Sequence, residues 1–345
     1  MKKLLCVLFG SILLGCSDRY MGDNSTDTVK SEKVNVVRLV DLSRSGIYDV
    51  NGFVKRGHKL VVGTISLEGF SRSLDLENLN QGNLTARSIA SVKQYRSLSS
   101  FCSFDGSTIM ALDFEKGEIV ESTMTPIARG ENQESIIRLP AEEQHLIAMK
   151  ANDIVISTGF YEKGRYLLYS LADGGARYFL SYPDLPGYPD LQEKTKAMLY
   201  ASNILRIRPD QSAFVCADMY SGTIDFCRIN ADSIERVKLV CLHYPKVEIS
   251  EIPSSRVVYH RENRFGFLDI AVTDNKVYAL YSGKTYQMDK EHAFEGQTLL
   301  VYDWEGNLER SLLLDVPLVN VSYDREEQGI YGITSNGDLV KINCL

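Results

Sequence analysis

The chain has 345 residues, 44% of them hydrophobic and 24% charged, which is ordinary for a soluble globular protein and sufficient for a sizeable core. Its formal charge is -7; removing Lys2 and Lys3 with a signal peptide leaves 36 basic against 45 acidic residues, or -9. A surface of that sign argues against nucleic acid as a partner.

Lys2 and Lys3 form a basic n-region, and Leu4 to Leu14 is an apolar h-region too short for a permanent transmembrane helix. Leu13-Leu14-Gly15-Cys16 follows and resembles a bacterial lipobox. This predicts a signal peptide over residues 1–15, cut before Cys16, and acyl chains on Cys16 that hold the protein on a membrane at about 0.8 kcal/mol per buried CH₂. Ser17 after the cysteine favours the outer membrane, on its periplasmic or surface side. Residues 16–33 are polar and nearly devoid of large apolar side chains, so they read as a flexible tether. The globular part is placed at 34–345.

Asn35 to Leu42 is a strand without a local partner, predicted to pair with Leu339–Ile342 and close a ring. Short strands separated by Asp/Asn/Gly turns then recur. A first unit spans Gly46 to Ile89, with Lys59–Thr64 as an inner strand, and a second spans Tyr95 to Leu139. The third, Leu146 to Tyr182, and the fourth, Ile204 to Tyr244, each show four strands clearly. Tyr161, Tyr220 and Tyr281 end second strands at spacings of 59 and 61 residues. Periods this long exceed the roughly 40 to 45 residues of a WD-type blade, and six blades fit the length better than seven.

From Phe265 to Ile342 the alternation is cleanest: Val277, Ala279 and Tyr281 share one face, and Thr273–Lys276 and Trp304–Asn307 are tight turns. One four-stranded unit closes near Asp315, and the last runs out of chain after three strands, so the N-terminal strand must complete it. Val277-Tyr278-Ala279-Leu280-Tyr281-Ser282-Gly283 followed by Val301-Tyr302-Asp303-Trp304-Glu305-Gly306-Asn307 resembles the C-terminal signature of the TolB-like six-bladed propeller lipoproteins of Bacteroidetes. The resemblance implies an all-β six-bladed propeller of four-stranded antiparallel blades, and little about activity.

Long connections (183–200, 245–264 and 282–297) fall where the turn between second and third strands and the crossover to the next blade emerge together, whereas turns on the opposite face are short. A loop-rich working face and a plain opposite face are therefore expected. Tyr182 and Tyr188, in a Pro/Gly-rich crossover, suit either a stacking platform or self-packing. Tyr259, His260, Arg261 and Arg264 precede the inner strand of the fifth blade near the channel mouth, where the arginines suit a carboxylate or phosphate and a solvated, ion-paired loop equally. With Tyr161, Tyr220 and Tyr281, these are the candidate binding residues.

No metal, phosphate-loop or nucleophile motif is present, so no cofactor and no catalytic residue is assigned. Cys102, Cys216, Cys227, Cys241 and Cys344 form no CxxC, and buried free thiols suit them better than a cross-strand bridge within Cys216, Cys227 and Cys241. The sequence thus predicts a lipid-anchored cell-envelope module binding a protein, peptide or glycan. The alternative is a lactone, ester or glycan enzyme with its site at the central channel.

Overall fold

The computed structural model describes residues 29–48, 50–66, 69–76, 87–88, 98–102, 108–123 and 134–344. Cys16 and the predicted signal peptide lie outside the described residues.

Two strands open the chain, β1 (Ser31–Val34) and β2 (Val36–Asp41). Blade 1 is β3 (Val50–Arg56), β4 (Lys59–Ser66), β5 (Gly69–Asp75) and β6 (Arg87–Ser88); blade 2 is β7 (Leu98–Cys102), β8 (Thr108–Asp113), β9 (Glu118–Thr123) and β10 (Glu134–Arg138). Blade 3 is β11 (His145–Ala151), β12 (Ile154–Gly159), β13 (Tyr166–Ser170) and β14 (Ala176–Phe179), followed by helix α1 (Glu193–Leu199). Blade 4 is β15 (Asn203–Ile207), β16 (Ala213–Asp218), β17 (Thr223–Ile229) and β18 (Ile234–Cys241), followed by a hairpin of β19 (Val247–Ser250) and β20 (Arg256–Tyr259). Blade 5 is β21 (Phe267–Val272), β22 (Lys276–Tyr281), helix α2 (Tyr286–Asp289), β23 (Gly296–Asp303) and β24 (Leu308–Leu318); blade 6 begins with β25 (Asn320–Asp324), β26 (Gly329–Ile333) and β27 (Asp338–Ile342).

Each blade is a meander with its first strand innermost, and the innermost strands touch in cyclic order β3, β7, β11, β15, β21, β25 and back to β3. Six blades thus close a ring. The expected closure is present: β2 completes blade 6, pairing antiparallel with β27 from Val36 opposite Ile342 to Asp41 opposite Asp338. Lys59–Thr64 proves to be a second strand, because Val50–Arg56 takes the innermost place. The tether also ends earlier than expected, since Ser31–Val34 adds a parallel fifth strand to β24, with Glu32 paired to Arg310 at 2.9 Å.

Alternation decides which neighbour each side chain meets. On β16, Phe214 and Cys216 pack toward blade 3 while Val215 and Ala217 pack toward blade 5, and every residue of the strand is buried. Val277 and Ala279 face blade 4, whereas Tyr278 and Leu280 face blade 6. Cys216, Cys227, Cys241 and Cys344 are buried and form no disulfide. Trp304 is buried at the outer edge, with Nε1 donating to the Thr273 carbonyl at 3.1 Å.

Candidate functional site

The connections 180–202, 242–266 and 282–295 leave fourth strands, or a second strand in blade 5, and so emerge on one face. On the opposite face, the turns described in blades 3 to 5 are short: 152–153, 171–175, 208–212, 230–233, 273–275 and 304–307.

The first two connections build a small core of their own. On the β19–β20 hairpin, Val247, Ile249, Val257 and Tyr259 turn inward against Leu199 and Tyr200, leaving Glu248, Ser250, Arg256 and Val258 outward. Tyr259 Oη donates to the Leu199 carbonyl at 2.6 Å, and Thr195 Oγ1 donates to Glu251 Oε1 at 2.6 Å, fixing α1 to the hairpin. The Gln287 amide donates to the Arg261 carbonyl at 2.9 Å, and Phe265 packs on Phe294 at 4.7 Å, joining the second connection to the third.

Beneath this cap lies a buried charge cluster between blades 3 and 4. Arg165 Nη2 donates to both Asp218 oxygens at 3.2 and 3.0 Å, while Asp225 accepts from Tyr166 Oη at 2.9 Å and from Arg236 at 2.9 and 3.0 Å. Burial pushes the Asp218 carboxyl up to about 7 against the pull of Arg165. Such pairs fix blade geometry more than they add stability, since desolvation offsets much of their attraction.

Most of the predicted tyrosines serve the cap. Tyr161 is fully buried, its hydroxyl within hydrogen-bonding distance of His145 Nδ1 (2.5 Å) and Ser157 Oγ (2.6 Å). Tyr182 is also buried, donating to the Tyr161 carbonyl at 2.9 Å and stacking on Tyr200. Neither can present a ring to a ligand, which corrects that expectation. Tyr220 and Tyr259 stack on each other at 4.4 Å, and half-buried Tyr281 packs on Phe267 and His243. Tyr188 is half-buried with its hydroxyl turned to the Val247 carbonyl. The crossover is self-packed.

His260, Arg261 and Arg264 are exposed. Arg264 bridges to Thr285, so this turn rests on the 282–295 connection and adds nothing to the channel cavity. Exposed apolar side chains not singled out in the sequence lie on the same two connections: Ile252 and Met288 are 87% and 79% exposed, and Tyr286, Phe294 and Val258 are exposed as well. All five lie on the loop-rich face; isolated apolar residues in a polar insert carry no periodicity, and their presence there was the available signal.

The central cavity is small, about 80 Å³, and of mixed character, with Phe53, Phe101, Met149, Arg206, Ser322 and Tyr323 on its wall. The two described inner-strand carboxylates are committed. Asp269 accepts from Arg206 at 2.6 Å and from the Ile270 and Val321 amides, and Asp324 accepts from Lys55 and from the Glu326 and Glu327 amides. Among the described residues no three His, Cys, Asp or Glu side chains are grouped to hold a metal ion, and no helix is long and apolar enough to cross a membrane.

The profile of the TolB-like 6-blade propeller-like family matches residues 93–326, more than half of the chain. No curated protein matches the sequence. Among solved structures, the chain is similar to the β-propeller domain of Cps50 (Swd1) from Myceliophteria thermophila, at 11% identity over 91% of this chain and 99% of that one, with a TM-score of 0.43. It is similar to BamB from Moraxella catarrhalis at 11% identity over 85% and 69%, TM-score 0.39. A putative 6-phosphogluconolactonase from Bacteroides uniformis is similar at 13% identity over 78% and 72%, TM-score 0.40.

Proposed function

The chain belongs to the TolB-like 6-blade propeller-like family, and from that premise we propose that it is a lipid-anchored cell-envelope module that binds or scaffolds a protein, peptide or glycan through its loop-rich face. The observation that carries the reading is that Ile252, Val258, Tyr286, Met288 and Phe294, five of the nine exposed large apolar side chains among the described residues, lie on the connections of the loop-rich face. Exposed apolar clusters rimmed by polar groups mark interaction sites. Rigid connections present them, because hydrogen bonds and a shared core hold the loops.

The anchoring half of the reading rests on the lipobox at Cys16 and on the direction of β1. Ser31 pairs with Ser311, near the end of β24 that faces away from the loops, so β1 starts at the opposite face. An acyl chain at Cys16 would then be tethered to the globule at the end of β1 that lies opposite the loops.

Two measurements test this. Metabolic labelling with an alkyne fatty acid should mark the wild-type chain and spare Cys16→Ala; equal labelling refutes the anchor. Pull-down from envelope extracts should enrich a partner that is lost with the Tyr286→Ser/Met288→Ser/Phe294→Ser variant, and equal recovery by both chains refutes the face.

A further inference from the structure

One residue of the loop-rich face stands in a backbone conformation that its side chain resists. Lys290 follows α2 with φ 52° and ψ -128°. This mirrors an ordinary extended conformation and lies outside the left-handed minimum at about φ +57°, ψ +47°. It is the geometry of the first central residue of a type II′ turn, a position suited to glycine. A side chain held there stores strain, which persists only where the surroundings over-determine the backbone. The Lys290 side chain itself holds little, since it is exposed with Nζ 5.9 Å from the centre of the Tyr286 ring.

The backbone is fixed on both sides of it, and to different supports. Before Lys290, α2 is closed on itself: Thr285 Oγ1 accepts from the Met288 amide at 3.3 Å, and the Thr285 and Asp289 amides donate to Asp289 Oδ2 and the Thr285 carbonyl, each at 2.9 Å. α2 buries no side chain and leans on the second connection through the Gln287 amide, which donates to the Arg261 carbonyl at 2.9 Å, and through the bridge of Thr285 to Arg264. After Lys290, the chain is tied to residues that follow directly on β22: Ser282 Oγ donates to the Ala293 carbonyl at 2.7 Å and Lys284 Nζ to the His292 carbonyl at 3.0 Å, with Ala293 fully buried. An element without buried side chains is among the first parts of a fold to open. Breaking the Gln287 bond frees α2 to lift as one capped piece, and the joint at Lys290 then relaxes.

We infer that Lys290 is a strained hinge that loads α2 for release from the second connection, so that Tyr286 and Met288 move toward a docking partner on one preformed turn. The docking step rests on the loop-rich face being the binding face; the hinge itself does not. Strain released on opening offsets part of the cost of the broken Gln287 bond, so a partner that prefers the lifted turn has less to supply.

Hydrogen–deuterium exchange of the Gln287 amide tests the hinge on the full chain in detergent, in wild type, Lys290→Gly and Lys290→Ala. Both variants delete the side chain, but only glycine accepts the conformation without strain. Lys290→Gly is expected to exchange at Gln287 about tenfold more slowly than Lys290→Ala, equivalent to about 1.4 kcal/mol, and Lys290→Ala to exchange at the wild-type rate. Equal rates in the two variants, or faster exchange in Lys290→Gly, overturn the inference. A raised melting temperature in Lys290→Gly with unchanged Gln287 exchange also overturns it, because the strain is then not coupled to the opening of α2. In the envelope pull-down, Lys290→Gly should recover less partner than Lys290→Ala. Equal recovery by that pair, with recovery lost in the Tyr286/Met288/Phe294 serine variant, overturns the docking step alone. Recovery unchanged by all of these substitutions overturns the docking step together with the loop-rich reading, whatever the exchange shows.

Discussion

Lys55 clasps the first blade to the sixth. Its side chain is 3% exposed, and its three N–H donors are matched by Asp324 Oδ2, Glu327 Oε1 and the Gly57 carbonyl, each at 2.7 Å, with the ammonium 4.1 Å from the centre of the Tyr331 ring. Lys55→Met keeps the stem and removes the charge. Asp324, with no exposed surface, would retain only the Glu326 and Glu327 amides as partners. Stripping one partner from a buried pair costs about 3–5 kcal/mol. Glu327 is 39% exposed and rehydrates, and methionine against Tyr331 recovers some contact, so the expected loss lies near the lower end, about 3 kcal/mol. The adjacent pair, Arg56 with Glu326 at 2.6 Å, joins the same two blades but is 41% and 51% exposed, so Arg56→Ala should cost under about 1 kcal/mol. Urea unfolding of wild type, each single variant and Lys55→Met/Asp324→Asn measures both, the double variant losing less than the sum of its parts. If Lys55→Met is no more damaging than Arg56→Ala, burial is not what gives the clasp its strength.

Gly266 lies where blades 4 and 5 come closest under the cap: a Cβ there would stand 1.7 Å from the Ser221 carbonyl oxygen and 2.6 Å from that of Asp218. Because both obstacles are backbone, Gly266→Ala should cost at least the roughly 1–3 kcal/mol of an overpacked core, and an unchanged melting temperature would refute that. At His145, burial holds the imidazole below its usual range, so below about pH 6.5 the unfolded chain takes up a proton that the native state resists. The stability this residue contributes is present above that pH and lost as pH falls toward its lowered native value. The wild type should therefore lose up to about 1.4 kcal/mol per pH unit relative to His145→Gln as pH falls below about 6.5 toward that lowered native value, and a pH-independent difference in urea stability would dismiss the assignment.

Blades 3 to 5 and the closing strand could be read in advance because their physics is local. Turns such as Ala151-Asn152-Asp153 bound apolar runs, and a period of two distributes Val277 and Tyr278 to opposite neighbours. Blade 1 was harder. Its innermost strand, VNGFVKR, contains a lysine that is buried only because Asp324 and Glu327 arrive from the other end of the chain. The same non-locality defeated the tyrosines: Tyr220 and Tyr259 are 39 residues apart, and nothing in either segment reveals that each ring covers the other. Arginine charge was legible at Arg264, but its hydrogen bond to Tyr281 is a property of the folded surface.

The division between buried tyrosines and exposed arginines also explains how a loop face can bind without being loose. A connection that must order itself on binding spends much of its interaction free energy on lost freedom. Here that ordering occurs on folding: Tyr182, Tyr200 and Leu185 are buried in the cap, and Tyr259 and Thr195 hold the hairpin to α1. What stays exposed is the side chains of Met288 and Arg261, carried on backbone fixed by Gln287 and the Arg264–Thr285 bridge. Loosening the cap should therefore weaken binding without touching the contact surface. Tyr259→Phe, which deletes only the hydrogen bond to Leu199, is the smallest such change, and it separates preorganisation from contact at this face.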